Sequence, residues 1–258
     1  MSILITNDDG IRSKGIEILA SRLKRLGQIY VIAPDKERSA ASHSLTLHRP
    51  LRIERAKPNY YSVDGTPADC VNIAINKILK KRPSLVVSGI NRGPNLGNDI
   101  TYSGTVAGAR EGTFLGISSF AISLVSKNEK EFERGFKEAS LFAYKLAKVI
   151  LKKGLPHGAF LNVNFPYNKN STPAGIKQAQ NSRVKITRQG KRIYSDDIIE
   201  KVDPWGKKYY WIGNGGWTFQ KIEESDIEAI ENSYISVTPI SIDLTNYSFL
   251  NVLKKWKL

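Results

Sequence analysis

Two adjacent carboxylates, Asp8 and Asp9, follow the short apolar run Ile3 to Thr6. Side by side they repel unless positive charge sits between them, and a hard divalent cation is the simplest such charge. Two later polar stretches offer further oxygen donors, the Ser39 hydroxyl and the side-chain amide of Asn91 or Asn95. Carboxylate, hydroxyl and amide oxygens suit Mg²⁺, Mn²⁺ or Ca²⁺, whereas zinc calls for His or Cys. The histidines, His43, His48 and His157, are scattered without ligand spacing. No serine stands in a Gly-x-Ser-x-Gly elbow, so a nucleophilic triad is not indicated. Cys70 lies inside a helical pattern and reads as a small core residue. The competing reading of Asn7 to Gly10 is an ordinary Asx-rich turn.

A second group is Ser103-Gly104-Thr105, ahead of a small-residue helix over Val106 to Phe114. The free N–H groups of a helix start, with the dipole and two hydroxyls, make an anion site. The alternative is a simple cap by Thr105.

The elements that must position these groups alternate in type. Ile3 to Thr6 reads as a buried strand and Lys14 to Leu26 as a helix stopped by Gly27; Gln28 to Ala33 reads as a second strand, parallel to the first. Leu51 to Arg55 and Tyr60 to Val63 read as short strands of an excursion. Thr66 and Pro67 then start a helix that runs to about Lys80, with Asp69 in its first turn. Ser84 to Gly89 and Ile117 to Leu124 are further strands, Glu129 to Lys152 is a helix, and Ala159 to Phe165 closes the series. Such alternation predicts an α/β fold, a doubly wound, mostly parallel, Rossmann-like sheet over about residues 1–170. Ligands of such sheets bind beyond the carboxyl ends of the strands, where Asp8, Ser39 and Asn91 all fall.

The remainder, 171–258, reads as a β-hairpin extension and C-terminal oligomerisation segment of the same structural unit. From Lys177 to Lys221 ten basic residues outnumber four acidic ones, and aromatic rings such as Tyr194, Trp205, Tyr209, Trp211 and Trp217 are interleaved. Arg183 to Thr187 and Lys207 to Ile212 read as antiparallel hairpin strands. A hairpin cannot bury so many rings alone, which favours a second subunit over stacked bases as their cover. Asp226 to Glu231 and Tyr234 to Thr238 give a short helix and strand, and Ser248 to Lys257 an amphipathic tail.

Composition narrows the function classes. The 258 residues carry 39 Lys and Arg against 24 Asp and Glu, a net charge of +15 that attracts anions. The basic residues are spread along the chain, so no dedicated nucleic-acid arm and no stable nucleic-acid partner are expected. No run approaches the roughly 18 apolar residues of a membrane span. Asn7-Asp8-Asp9 falls where a signal-peptide core would have to be, and one cysteine fits a reducing compartment, so a cytoplasmic location is expected.

Taken in order, the motifs resemble one known family. Asn7-Asp8-Asp9-Gly10, Ala33-Pro34-Asp35 with Arg38-Ser39, Gly65 to Cys70, Ser88-Gly89-Ile90-Asn91 with Gly93-Pro94-Asn95, and Tyr102-Ser103-Gly104-Thr105 are similar to the SurE (survival protein E) nucleotidases. That resemblance implies a metal-dependent phosphatase of nucleoside 5′- and 3′-monophosphates, and some members of the family also trim polyphosphate. It implies one divalent ion per subunit on Asp8, Asp9, Ser39 and Asn91. It places Asn95, Ser103, Gly104 and Thr105 around the phosphate. In direct hydrolysis of a phosphate monoester, Asp8 or Asp9 would accept the proton of the attacking water. It implies a homodimer or homotetramer with exchanged C-terminal tails. Some relatives carry His in the segment matching Pro239 to Asp243, where this chain has Ser241, which puts a His–Asp tie between tails in doubt but not the chemistry. Two rivals stand beside it, a phosphoacceptor signalling domain, which would need a third Asp at a later strand end, and a nucleic-acid-binding module.

Overall fold

The computed structural model describes residues 1–126, 128–167, 183–193, 198–212 and 218–256. Tyr194, Trp217 and all of 168–182 lie outside them. Six strands form the parallel heart of the sheet: β1 (Ser2–Thr6), β2 (Gln28–Pro34), β4 (Tyr60–Val63), β5 (Leu85–Arg92), β6 (Ser119–Val125) and β7 (Ala159–Pro166). β3 (Ile53–Lys57) runs antiparallel to β4 at one edge. At the other edge β13 (Ile235–Ser241) runs antiparallel to β7, and β8 (Val184–Ile186) runs parallel to β13. The nine strands lie in the order β3-β4-β2-β1-β5-β6-β7-β13-β8.

Helices cover both faces, which is why β1, β5 and β6 are apolar almost without interruption. α1 (Lys14–Leu23) and α4 (Phe132–Lys153) pack on one face; Ile16, Leu19, Phe136, Ala139, Ala143 and Ala147 join the core there at helical spacing. α2 (Pro67–Ile73) and α3 (Gly104–Phe114) cover the other face. Thr66 caps α2 as expected, in a reciprocal box: its side chain accepts the Asp69 N–H, and the Asp69 carboxylate accepts the Thr66 N–H. Cys70 is fully buried in the α2 core, as its pattern implied.

One expectation is corrected. Val184–Ile186 is not a hairpin strand; it lies parallel to β13 in the main sheet. The hairpin partner of β11 (Lys208–Ile212) is β10 (Ile198–Val202). Alternation alone cannot tell a hairpin arm from a sheet edge, and the hydroxyl contacts of Thr187 with Ser236 and Thr238 anchor β8 there. β9 (Lys191–Ile193) pairs antiparallel with β12 (Thr218–Gln220); α5 (Asp226–Glu231) and α6 (Tyr247–Leu253) complete the described elements.

Strand order sets the crevice. From β1 the chain goes through α1 to β2 on one side, and later returns to lay β5 on the other side of β1. The order therefore reverses at β1, and loops after β1 and β5 diverge to leave an opening at their carboxyl ends.

Candidate metal and phosphate site

That opening is a cavity of about 760 Å³, lined by Asp8, Asp9, Ser39, Asn91, Asn95 and Ser103 among others. Asp8 and Asp9 follow β1 directly, and Asn91 stands at the end of β5, beside a shift in the β5–β6 register between Gly89 and Asn91. The Asn91 amide nitrogen donates to the Gly93 carbonyl at 2.9 Å, which leaves its oxygen as the acceptor it offers. Ser39 rides on the loop after β2, which is fastened below Asp8 by the Arg38 N–H donating to the Asp8 carbonyl at 2.8 Å. Its hydroxyl donates to Glu37 at 2.5 Å.

Thr105 holds Asp8. The Thr105 hydroxyl donates to Asp8 Oδ1 and its backbone N–H to Asp8 Oδ2 at 3.1 Å. Ser103, not Thr105, caps α3, accepting the Val106 N–H at 3.0 Å. Two of the amides expected to greet an anion are thus already taken, and Gly104 and Thr105 do not line the cavity. Gly104 instead lets the helix start come down on Asp8: a Cβ there would lie 2.8 Å from the Asp8 Cβ. Asn95 and Ser103 are the members of the expected phosphate group that face the cavity.

Electrostatics favour a guest cation. Burial pushes the Asp8 carboxyl up, against the pull of the Thr105 hydroxyl. Burial, then the neighbouring Asp8, push Asp9 up to about 7. Asp9 receives one long contact, the Arg92 N–H at 3.4 Å. The cavity wall holds six carboxylates and two cationic side chains, Lys14 and Arg92. Lys14 pairs with Glu17 at 3.0 Å, off the wall, and Arg92 with Glu129 of the wall at 2.7 Å. An acid-lined crevice in a chain of net charge +15 fits a hard dication. Among the described residues no three His, Cys, Asp or Glu side chains form a metal cage, so the donor set that fits is the mixed one of two carboxylates, a hydroxyl and an amide.

Three residues that shape the site were not singled out from sequence. Asn162 and Asn164, fully buried in β7, hold the backbone of Asn95. Two asparagines in an otherwise apolar strand were the available signal, since buried amides must be paired. Asp226, at the start of α5, carried no signal at all.

Comparison with known proteins agrees with this geometry. The model of the family described as Survival protein SurE matches residues 3–196. The chain is 49% identical over 258 residues to a protein of Geotalea uraniireducens named 5′-nucleotidase SurE, with all of both chains covered. It is 48% identical, with 100% of both chains covered, to the protein of that name from Geotalea daltonii. The crystal structure of the SurE protein from Aquifex aeolicus superposes with a TM-score of 0.83 at 43% identity, covering 98% of each chain. With the motifs, the switch-point crevice and full-length likeness in agreement, this chain belongs to the SurE family.

Proposed function

We propose that the chain hydrolyses nucleoside 5′- and 3′-monophosphates, and short polyphosphate, with one Mg²⁺, Mn²⁺ or Ca²⁺-type ion per subunit. The observation that carries this reading is the cavity between β1 and β5, lined jointly by Asp8, Asp9, Ser39 and Asn91. The name 5′-nucleotidase borne by relatives such as that of Geotalea uraniireducens supports the substrate class.

Asp8, Asp9, Ser39 and Asn91 would hold the cation, which when bound neutralises phosphoryl charge and acidifies water. Asn95 and Ser103 orient the phosphate. Water attacks phosphorus as the ester P–O bond breaks; Asp9 takes the water proton, and the departing nucleoside oxygen is protonated from solvent. Asp9 suits the base role better than Asp8, because both Asp8 oxygens are engaged by Thr105 while Asp9 has one long contact.

The assembly we propose is a homodimer or homotetramer built through the C-terminal extension. Trp205 is 83% exposed, Tyr210 59% and Trp211 61% on the β10–β11 hairpin, and no residue of α6 is buried. Such apolar area calls for cover by a second copy. No helix of the described residues is long and apolar enough to cross a membrane.

Phosphate release from a panel of nucleoside 5′- and 3′-monophosphates and tripolyphosphate, with Mg²⁺, Mn²⁺ or chelator, tests the reading. Metal-dependent release from monophosphates is expected. Equal release in excess chelator, or none from any nucleotide, would overturn it.

A further inference from the structure

We propose that Asp226 is a positioning residue for this reaction, tying the loop 93–102 that carries Asn95 to the C-terminal segment. The proposal rests on the phosphatase reading above.

Asp226 is 1% exposed, and its carboxylate accepts three backbone N–H groups. Gly97 donates at 2.9 Å to Oδ2; Gly190 at 2.8 Å and Ile227 at 2.9 Å donate to Oδ1. Gly97 and Gly190 belong to different segments that meet backbone to backbone: a Cβ on Gly97 would lie 3.1 Å from the Gly190 carbonyl carbon. The seam has two further stitches. Gln189 Nε2 donates to the Gly97 carbonyl at 3.1 Å, and Arg192 pairs with Asp99 on the cavity wall at 2.7 Å.

The same loop is held from the sheet side. Asn164 Oδ1 accepts the Asn95 N–H at 2.9 Å, and the amides of Asn162 and Asn164 donate to the Asn95 carbonyl at 2.9 and 2.8 Å. The Asn95 amide nitrogen in turn donates to Ser123 at 2.8 Å. The loop is thus suspended between β7 and Asp226. The Asp226 tie is at Gly97, whereas the proposed cation donors meet this loop only at its ends: Asn91, within β5, bonds to Gly93, Ser42 beyond Ser39 bonds to Thr101 and Tyr102, and Asp8 and Asp9 follow β1. A fault at Asp226 should therefore displace the phosphate side of the site and spare the cation side.

An Asp226→Asn substitution presents one acceptor oxygen and one NH₂ group where N–H groups point at both carboxylate oxygens, so at least one of them loses its partner. Wild type, D226N, Asn95→Ala and the double variant are compared for phosphate release from a nucleoside monophosphate, Mn²⁺ affinity and inhibition by inorganic phosphate. We expect D226N to lower kcat/KM roughly 10- to 100-fold, the loss of a charge-assisted bond to a reaction-side group. We expect phosphate inhibition weakened, Mn²⁺ affinity within about twofold of wild type, and a double variant little worse than N95A alone. An unchanged kcat/KM in D226N overturns the proposal, as does a loss shared equally by Mn²⁺ affinity, or full additivity with N95A. If D226N does not fold, Gln189→Ala decides: a roughly threefold fall in kcat/KM with unchanged Mn²⁺ affinity supports the seam, and wild-type kinetics overturn it. A wild-type protein that releases no phosphate from any nucleotide would instead remove the underlying phosphatase reading.

Discussion

At the scale of single residues, the site is decided by how two neighbouring carboxylates are treated differently. Asp8 is anchored by the Thr105 hydroxyl and N–H, while Asp9, half-buried and almost unpartnered, keeps its proton up to about 7 in the cation-free protein. The sign of the stability effect follows. An unfolded Asp releases its proton near ~3.9, so between that value and about 7 the folded chain binds more protons than the unfolded one. The stability contributed by neutral Asp9 is present below the unfolded value and is lost as pH rises through the folded one. In chelator, the melting temperature of Asp9→Asn should therefore gain on wild type between pH 5 and pH 8; a constant difference would show that Asp9 is not strained by ionisation. With substrate and cation, Asp9→Asn should cost at least about 100-fold in kcat, the usual worth of a positioned base, with an unchanged circular dichroism spectrum. The acid pair and Ser39 were legible as candidates from residue type and strand context, whereas the choice of Asn91 over Asn95 came from the family resemblance. The role of Thr105 was not legible, because a threonine at a helix start reads as a cap, and only the fold brings Asp8 into its reach across 97 residues of sequence.

Elements explain how those side chains are held. α3 lies close on β1 and β5 because its inward positions are glycines: a Cβ on Gly108 would sit 2.7 Å from Thr6 Cγ2 and 2.8 Å from Ser88 Oγ. Gly108→Ala should lift the helix and destabilise the protein by about 1–3 kcal/mol, the cost of overpacking a close interface, read as a drop in melting temperature. The loop bearing Ser39 has its own fastening. Ala40 and Ser42 adopt φ of 55°, and Ser42 bonds to Thr101 and Tyr102. His43 reaches buried Glu111 at 2.8 Å and stacks on Phe114 at 5.3 Å. His43→Ala should loosen this loop and weaken Mn²⁺ binding several-fold through Ser39, by roughly 1–2 kcal/mol for a lost bond and stack; Mn²⁺ titration of the variant measures it. The strand and helix series from Ser2 to Pro166 was legible because buried parallel strands and amphipathic helices have distinct periods. β8 was misread as a hairpin arm, because a three-residue edge strand has no period that names its neighbour.

At the scale of the whole molecule, a chain of net charge +15 keeps its acid-lined crevice at the sheet's switch point and its exposed aromatic groups in the C-terminal extension. The positive field draws anionic substrates from a distance, while the crevice needs a cation before it can receive them. Removing the tail after Asp243 should shift the assembly toward smaller species in light scattering, since the exposed Tyr247, Phe249 and Trp256 are lost from the proposed contact. The aromatic density of the sequence led to the expectation of cover by a second subunit, but the geometry of the proposed contact could not be read from it. The most direct measurement of the shared-cation claim is a Mn²⁺ titration followed by electron paramagnetic resonance, on wild type and Asn91→Ala. Asn91 reaches the crevice from β5, the strand opposite the loop of the acid pair, so it reports whether both sides hold one ion. One Mn²⁺ per chain, weakened at least about tenfold by loss of a direct ligand, is the predicted result. Undiminished Mn²⁺ affinity in Asn91→Ala would contradict it.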